Sequence, residues 1–346
     1  MRKSSLAIAL ALLLLLGGGA LFVNLAGDAL TGYWSFVNSV RPHGWAPAAA
    51  TPTPTPTAIP KSCGSLNVRV LNVGQADAIF IRTPGGKTIL LDAGDSKREL
   101  SALIGSARID YFIATHYHQD HIGGYEALHS DVGAIYDNGN CGGSTSKIAQ
   151  DFLAFAKAGN HVVVAQDMPL KIDDCINAKL IVAYDRPQGC WKDDENQNSI
   201  LLRITYGKQS FLFAADCGTE CENTLIQQAT PLSATVLKVG HHGSATSSSA
   251  EFLRAIGASY YVISVNATES AQPNKKYFHP RQATLSRIYA RSQNLARTDL
   301  NGNVHYITDG NTLTTASDKK ATQREEFSGF ASASADTYGP IPEVAG

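Results

Sequence analysis

The run Thr115–His116–Tyr117–His118–Gln119–Asp120–His121 packs three imidazoles and a carboxylate into six residues, directly after the apolar segment that starts at Tyr111. Neutral imidazole nitrogens and carboxylates are the donors that zinc, manganese and iron take as ligands. His116 and His118 are two residues apart, so a turning loop points both at one ion. The adjacent pair Asp120 and His121 can face a second. Two ions ~3.5–4 Å apart can clamp the attacking and leaving oxygens of a hydrolysis. A surface cluster of polar loop residues is the bland alternative, and it has no need of H-x-H-x-D-H spacing.

The residues around this segment predict an α/β domain. Leu66–Val73, Ala78–Arg82, Thr88–Leu91, Tyr111–Thr115, Val236–Val239 and Tyr260–Val265 read as strands. Ile200–Thr205 and Phe211–Ala215 flank the turn Tyr206–Gly207–Lys208, a hairpin pattern. Helical stretches fall at about 97–106, 146–158, 219–229, 249–256 and 281–291. Interleaved strands and helices give the α/β class. The hydrophobic set is 44% and charged residues are 17%, which excludes wholesale disorder. A net charge of -1 excludes a globally basic nucleic-acid binder, though not a local basic patch.

The start of the chain bears on its compartment. Arg2 and Lys3 precede an uncharged apolar run from Leu6 to Val23, the pattern of a secretory signal or signal anchor. Cleavage and retention both stay open. The positive-inside rule places the rest of the chain outside the cytoplasm, anchored or secreted. The expected organisation is a signal or anchor over 1–30 and a Thr/Pro-rich linker over 31–61. A single domain follows over 62–315, then a disordered tail over 316–346. Six cysteines, Cys63, Cys141, Cys175, Cys190, Cys217 and Cys221, lie in the exported part and contain no CxxC pair. Disulfides are allowed there, and ordinary buried thiols are the alternative. Cys217 and Cys221 stand about one helical turn apart, which favours linkage or packing of that pair.

The His/Asp segment resembles the signature of metallo-β-lactamase-fold hydrolases. Asn72–Val73–Gly74–Gln75–Ala76–Asp77–Ala78–Ile79 is similar to the opening of the extracytoplasmic hydrolase domain of ComEC-type DNA-uptake proteins. Leu91–Asp92–Ala93–Gly94, His121–Ile122–Gly123–Gly124 and Leu237–Lys238–Val239–Gly240–His241–His242–Gly243–Ser244 fit the same group, as do Phe278–His279–Pro280 and Thr298–Asp299–Leu300–Asn301–Gly302. The likeness covers nearly all of 66–310 in order. Nothing resembles the multi-spanning channel part of ComEC, so the expectation is a stand-alone relative of its hydrolase domain.

The resemblance implies an αββα sandwich and a metal-dependent hydrolase using metal-activated water on phosphodiesters, DNA being the prominent case. Zinc is the expected cofactor, one or two ions, with manganese the alternative. His116 and His118 would hold one metal, Asp120 and His121 the other, and Asp216 would bridge. His241 or His242 would add the later histidine, with His242 favoured. Asp92 would act behind the ligands, orienting one of them. One departure stands out: Glu195–Asn196–Gln197–Asn198–Ser199 holds no histidine where many members carry one. The His116/His118 metal is therefore one protein ligand short.

Weaker candidates keep two readings each. His279 contacts a phosphate or acts as general acid, or is a packed loop histidine. Asp77 lines the site or ends a strand. Lys238 steers an anion or is structural. Ser244, with Thr246 and Ser247–Ser249, binds phosphate oxygens or caps the next helix. Lys238, Lys275, Lys276 and Arg281 are candidates for a local basic patch. The same fold hosts lactonases and phosphorylcholine esterases, and a binding-only module for DNA or wall polymer is the non-enzymatic alternative. No protein partner is predicted, and the membrane is met through the N-terminal segment.

Overall fold

A computed structural model describes residues 63–128, 132–184, 189–272 and 277–330. The apolar run, the Thr/Pro linker, Lys275, Lys276 and residues 331–346 lie outside the described residues. Among the described residues no helix is long and apolar enough to cross a membrane.

The strands run in chain order as β1 (Leu66–Val70), β2 (Ile79–Arg82), β3 (Thr88–Leu91), β4 (Tyr111–Ile113), β5 (Ala134–Asp137) and β6 (His161–Val163). Next come β7 (Met168–Leu170), β8 (Asn177–Ile181), β9 (Leu201–Tyr206), β10 (Gln209–Phe213) and β11 (Val236–Lys238). The last are β12 (Tyr260–Ile263), β13 (Leu295–Arg297), β14 (Val304–Thr308) and β15 (Leu313–Ser317). One sheet has the order β15-β14-β1-β2-β3-β4-β5-β6, the other β13-β12-β11-β10-β9-β8-β7. The helices are α1 (Lys97–Ile104), α2 (Gln119–Ile122), α3 (Lys147–Ala158), α4 (Thr219–Gln227) and α5 (Ala250–Ile256). After them come α6 (Ala267–Ser270), α7 (Gln282–Tyr289), α8 (Thr298–Asn301) and α9 (Gln323–Glu326).

Strand periodicity explains the layering, because successive side chains point to opposite faces. On β3, Ile89 and Leu91 enter the core between the sheets, while Leu90 faces outward with Leu100 of α1 and Phe152 of α3. On β10, Phe211 and Phe213 point inward and Leu212 outward, into a cluster with Leu225, Phe252 and Leu285 from α4, α5 and α7. Three apolar clusters thus separate four layers, the α/β/β/α arrangement expected. The hairpin read at Tyr206–Gly207–Lys208 is present as the antiparallel pair β9–β10. Ser146 and Ser249 cap α3 and α5 by accepting the backbone N–H of Ala149 and Phe252.

Both sheets carry parallel runs, β3–β4–β5–β6 in one and β10–β11–β12–β13 in the other. The loops leaving β3, β4, β10 and β11 hold the candidate donors. Asp92, Ala215, His241 and His242 all adopt positive φ there, at 58°, 49°, 47° and 51°. Non-glycine residues seldom sit in that region unless the surroundings impose it, and such residues gather at functional sites. Gly243 follows at φ 81°, where a Cβ would come within 2.8 Å of Pro280.

All six cysteines are paired, as Cys63–Cys175, Cys141–Cys190 and Cys217–Cys221. The buried-thiol alternative therefore does not apply. The expected domain end at 315 needs correcting. β15 runs to Ser317, α9 follows, and Phe327 and Phe330 are buried. The Ala/Ser/Lys-rich composition hid Phe327, which joins the outer core of the second sheet, and Phe330, which packs edge-on against Phe278.

Removing the ring of Phe327, which is 1% exposed and packed edge-on against Tyr289, tests that anchor. Phe327→Ala is expected to lower the unfolding free energy by ~3–5 kcal/mol in urea denaturation. A change within ~0.5 kcal/mol, the scale of a surface site, would contradict the packing.

Candidate metal centre

Ligand-type atoms of Asp120, His121, Asp216 and His242 all lie within 4.8 Å of one another. His121 Nε2 stands 3.3 Å from Asp216 Oδ2 and 3.9 Å from Asp120 Oδ2. His242 Nε2 stands 3.2 Å from Asp120 Oδ2 and 3.6 Å from Asp216 Oδ2. His121 Nε2, His242 Nε2 and Asp216 Oδ1 are buried and have no hydrogen-bond partner. Buried polar atoms are ordinarily satisfied, so two orphaned imidazole nitrogens from opposite sheets facing one buried carboxylate fit a divalent cation well.

The far side of each ring is tied down. His121 Nδ1 donates to Asp92 Oδ2 at 2.8 Å, and His242 Nδ1 donates to the Ser264 carbonyl at 2.8 Å. Each bond keeps a proton on Nδ1 and turns the Nε2 lone pair toward the cluster, the usual device around metal-binding histidines. Asp92 does more. Its oxygens accept the Thr115 N–H at 2.8 Å and the Thr115 hydroxyl at 2.9 Å. That hydroxyl lies 3.1 Å from His116 Nδ1, so one buried carboxylate sets the orientation of two histidines.

His116 and His118 pair with each other, His116 Nε2 lying 3.1 Å from His118 Nδ1, and the His116 ring also lies 4.1 Å from that of His121. No further His, Cys, Asp or Glu joins them in a ligand-spaced group among the described residues. The segment without histidine braces the site. Glu195 Oε1 accepts from the Tyr117 N–H at 3.4 Å, and Ser199 Oγ accepts from the Asp216 N–H at 3.2 Å. Of the two adjacent histidines, His242 joins the cluster. The His241 side chain is 23% exposed, with Nε2 3.8 Å from Asp216 Oδ2.

The electrostatics follow from burial among carboxylates. Burial opposes the charged form of His121, but Asp216, Asp92 and Asp120 outweigh it and hold the imidazole well above its ordinary range. Burial likewise opposes charge on His242, and Asp216, Asp77 and Asp120 raise it. Burial pushes Asp216 up, yet His242, His121 and His241 hold it well below the usual carboxylate range. Asp120 is lowered in the same way, by His121 and His242 against its burial. Burial raises Asp92, with His121 pulling it back.

Two substrate-binding expectations change. Lys238 is fully buried and ion-paired with Asp77, which is also fully buried, so its ammonium does not meet a substrate. The same pair makes Asp77 a strut under the site. Its backbone N–H also donates to the Asp120 carbonyl at 3.0 Å. Ser244 is 7% exposed, and its hydroxyl lies 3.0 Å from that of Thr246, inside its own turn. Capping of the next helix falls to Ser249.

His279 is buried beside the cluster, its ring 5.3 Å from His241 and 6.4 Å from His242. Burial, with those two imidazoles, holds it well below the ordinary histidine range. It is therefore neutral near neutral pH and suited to donate a hydrogen bond. Gln75, which the sequence reading left without a role, fixes its tautomer. Gln75 Oε1 accepts from the Asn266 N–H at 3.1 Å, which turns Nε2 toward His279 Nδ1 at 3.4 Å. The quoted motif around Asp77 contained Gln75, but its partners are 191 and 204 residues away.

With this geometry in place, the chain can be compared with known proteins. Residues 71–135 match the Metallo-beta-lactamase superfamily, and both sheets are mixed, with helices between their strands. The resemblance to ComEC-type proteins is also shown. The chain is 28% identical over 246 residues to competence protein ComA of Neisseria gonorrhoeae, a span of 69% of this chain and 32% of the relative. It is 26% identical over 269 residues to ComE operon protein 3 of Bacillus subtilis (strain 168), with the same coverages of 69% and 32%. The chain thus spans about a third of the length of these curated relatives. The metallo-β-lactamase fold protein YhfI from Bacillus subtilis aligns at 14% identity and a TM-score of 0.41, over 67% of this chain and 96% of that one.

The hydrogen bond from His121 to Asp92 generates a direct test. Asp92→Asn is expected to weaken zinc or manganese binding by ~10–100-fold in chelator competition, while Asp120→Asn, which removes a donor, weakens it further. Protons on His121 and His242 compete with the cation. Affinity of the parent should therefore fall from about pH 8 to about pH 6, with protons released on binding. Parental affinity in Asp92→Asn would contradict the orienting role.

Proposed function

We propose that this chain is an exported metal-dependent hydrolase acting on phosphodiester bonds. The observation that carries the reading is the convergence of His121 Nε2 and His242 Nε2, buried and without hydrogen-bond partners, on the Asp216 carboxylate beside Asp120. A divalent ion held by Asp120, His121, Asp216 and His242 supplies Lewis acidity and brings the pKa of water toward ~7. Mixed imidazole and carboxylate donors suit zinc, with manganese the alternative. The His116/His118 pair is the place for a second, weaker ion.

The chain's own groups do the rest. Asp92 and the Ser264 carbonyl keep His121 and His242 in the tautomer that presents Nε2. The Asp120 side chain is 30% exposed while those of Asp216, His121 and His242 are buried, so Asp120 is the carboxylate that reaches incoming water and can orient it. Neutral His279, held by Gln75, is placed to donate to a phosphate oxygen. Water adds to phosphorus, the ester P–O bond breaks, and the products are a phosphomonoester and an alcohol. Competence-protein relatives support a DNA substrate; the phosphodiester is the chemistry proposed for this chain.

Three disulfides support placement outside the cytoplasm, since such bonds persist in oxidising compartments. The cationic start and apolar run point the same way.

The test is turnover of methyl p-nitrophenyl phosphate by metal-stripped protein reloaded with zinc or manganese. Asp120→Asn is expected to lose ~10²–10⁴-fold in turnover, the scale of one electrostatic or acid–base group. Metal-loaded parent protein with no turnover would replace this reading with the binding-only one.

A further inference from the structure

Three rings lead outward from the metal centre. His242 lies 6.4 Å from His279 with 20° between the planes, and His279 lies 5.9 Å from Tyr277 with 28° between them. Tyr277 ends the series at the surface. It is 50% exposed, the one aromatic among the large apolar side chains that are exposed in the described residues. Its neighbours in that group, Val163 and Ile307, lie on β6 and β14, away from the loops that carry the donors.

Exposure here does not come with slack. The Tyr277 N–H donates to the Ser270 carbonyl at 2.8 Å, and the Phe278 N–H donates to the same carbonyl at 3.1 Å. The His279 N–H donates to Ser270 Oγ at 2.8 Å, and Ser270 is fully buried. On the other side, Arg281 donates to the Tyr277 carbonyl at 3.0 Å while its guanidinium lies 5.6 Å from the centre of the Phe278 ring. Backbone bonds on both flanks thus fix the segment that carries a half-exposed ring stacked toward His279. A fixed exposed ring next to a cation is how single strands are gripped without sequence readout: bases stack on the ring and the charge attracts the backbone.

We infer that Tyr277 is a stacking platform for the nucleobase next to the scissile phosphate, and that it makes the site selective for unpaired strands. This rests on the phosphodiesterase reading above. A phosphate beside His279 puts the adjoining base within reach of Tyr277. A base inside a duplex has both faces already stacked, so only a single strand or a frayed end offers one. Arg281, tied to the Tyr277 carbonyl, supplies positive charge to the strand's backbone at the same point.

The experiment compares two labelled probes of equal phosphate count, an oligothymidylate and an abasic deoxyribose-phosphate strand. Their affinity for the full-length protein is read by fluorescence anisotropy. The parent is expected to prefer the base-bearing strand by ~10–100-fold, and Tyr277→Ala to lose most of that preference. Tyr277→Phe, which keeps the ring, should retain it. Metal content of both variants, measured alongside, reports whether the loop beside the centre is intact. Equal binding of the two probes by the parent, or a preference that survives Tyr277→Ala, would overturn the inference and leave the phosphodiesterase reading standing. Absence of methyl p-nitrophenyl phosphate turnover by the metal-loaded parent would instead remove that reading, and this inference with it.

Discussion

The buried ion pair between Lys238 and Asp77 holds the two halves of the centre together. Asp77 belongs to the loop before β2 in the first sheet, and Lys238 ends β11 in the second. Both side chains are fully buried. An ammonium in an apolar sandwich is very costly alone, so each partner requires the other, and removing one typically costs ~3–5 kcal/mol. The pair pins structure on both sides. Asp77 accepts the Gly94 N–H on its carbonyl and donates its own N–H to Asp120. Lys238 also donates to the Ala215 carbonyl at 3.4 Å, one residue before Asp216. The donors from β4 and from β10 and β11 are thereby set against one another across the sandwich.

Around that strut the centre is organised as two shells with opposite demands. The inner one leaves buried atoms without partners, which a folded chain otherwise avoids. The outer one ties the ligands down: Asp92 alone accepts from His121 and twice from Thr115. Carboxylates outnumber fixed cations in this volume, which is why His121 and His242 are driven toward protonation and Asp216 and Asp120 away from it. A divalent cation replaces those protons and relieves the same imbalance. Positive φ at Asp92, Ala215, His241 and His242 fits this picture of strand ends bent to aim their side chains.

Much of the centre was legible because its donors are local. His116 to His121 sit in one short segment that passes from the loop after β4 into α2, and the Asp216 and His241/His242 segments each follow a strand with clear β pattern. What escaped was long-range. Lys238 looked like a candidate anion contact because nothing local says that Asp77, 161 residues away, neutralises it. Gln75 and Ser264 act through bonds to residues far along the chain. β5, β6, β7, β8, β13, β14 and β15 were not among the strands read from the sequence. The chain beyond 315 was judged by composition, whereas two phenylalanines decide its fate.

The central claim is that one complete cation site is built from Asp120, His121, Asp216 and His242, with His116 and His118 left as an incomplete second. Anomalous diffraction at a zinc or manganese edge, from crystals of the metal-loaded protein, measures this directly. The account predicts the dominant peak ~2.0–2.2 Å from His121 Nε2 and His242 Nε2. Any peak beside His116 and His118 should be weaker. A dominant peak at the His116/His118 pair, or no peak near His121 and His242, would contradict it.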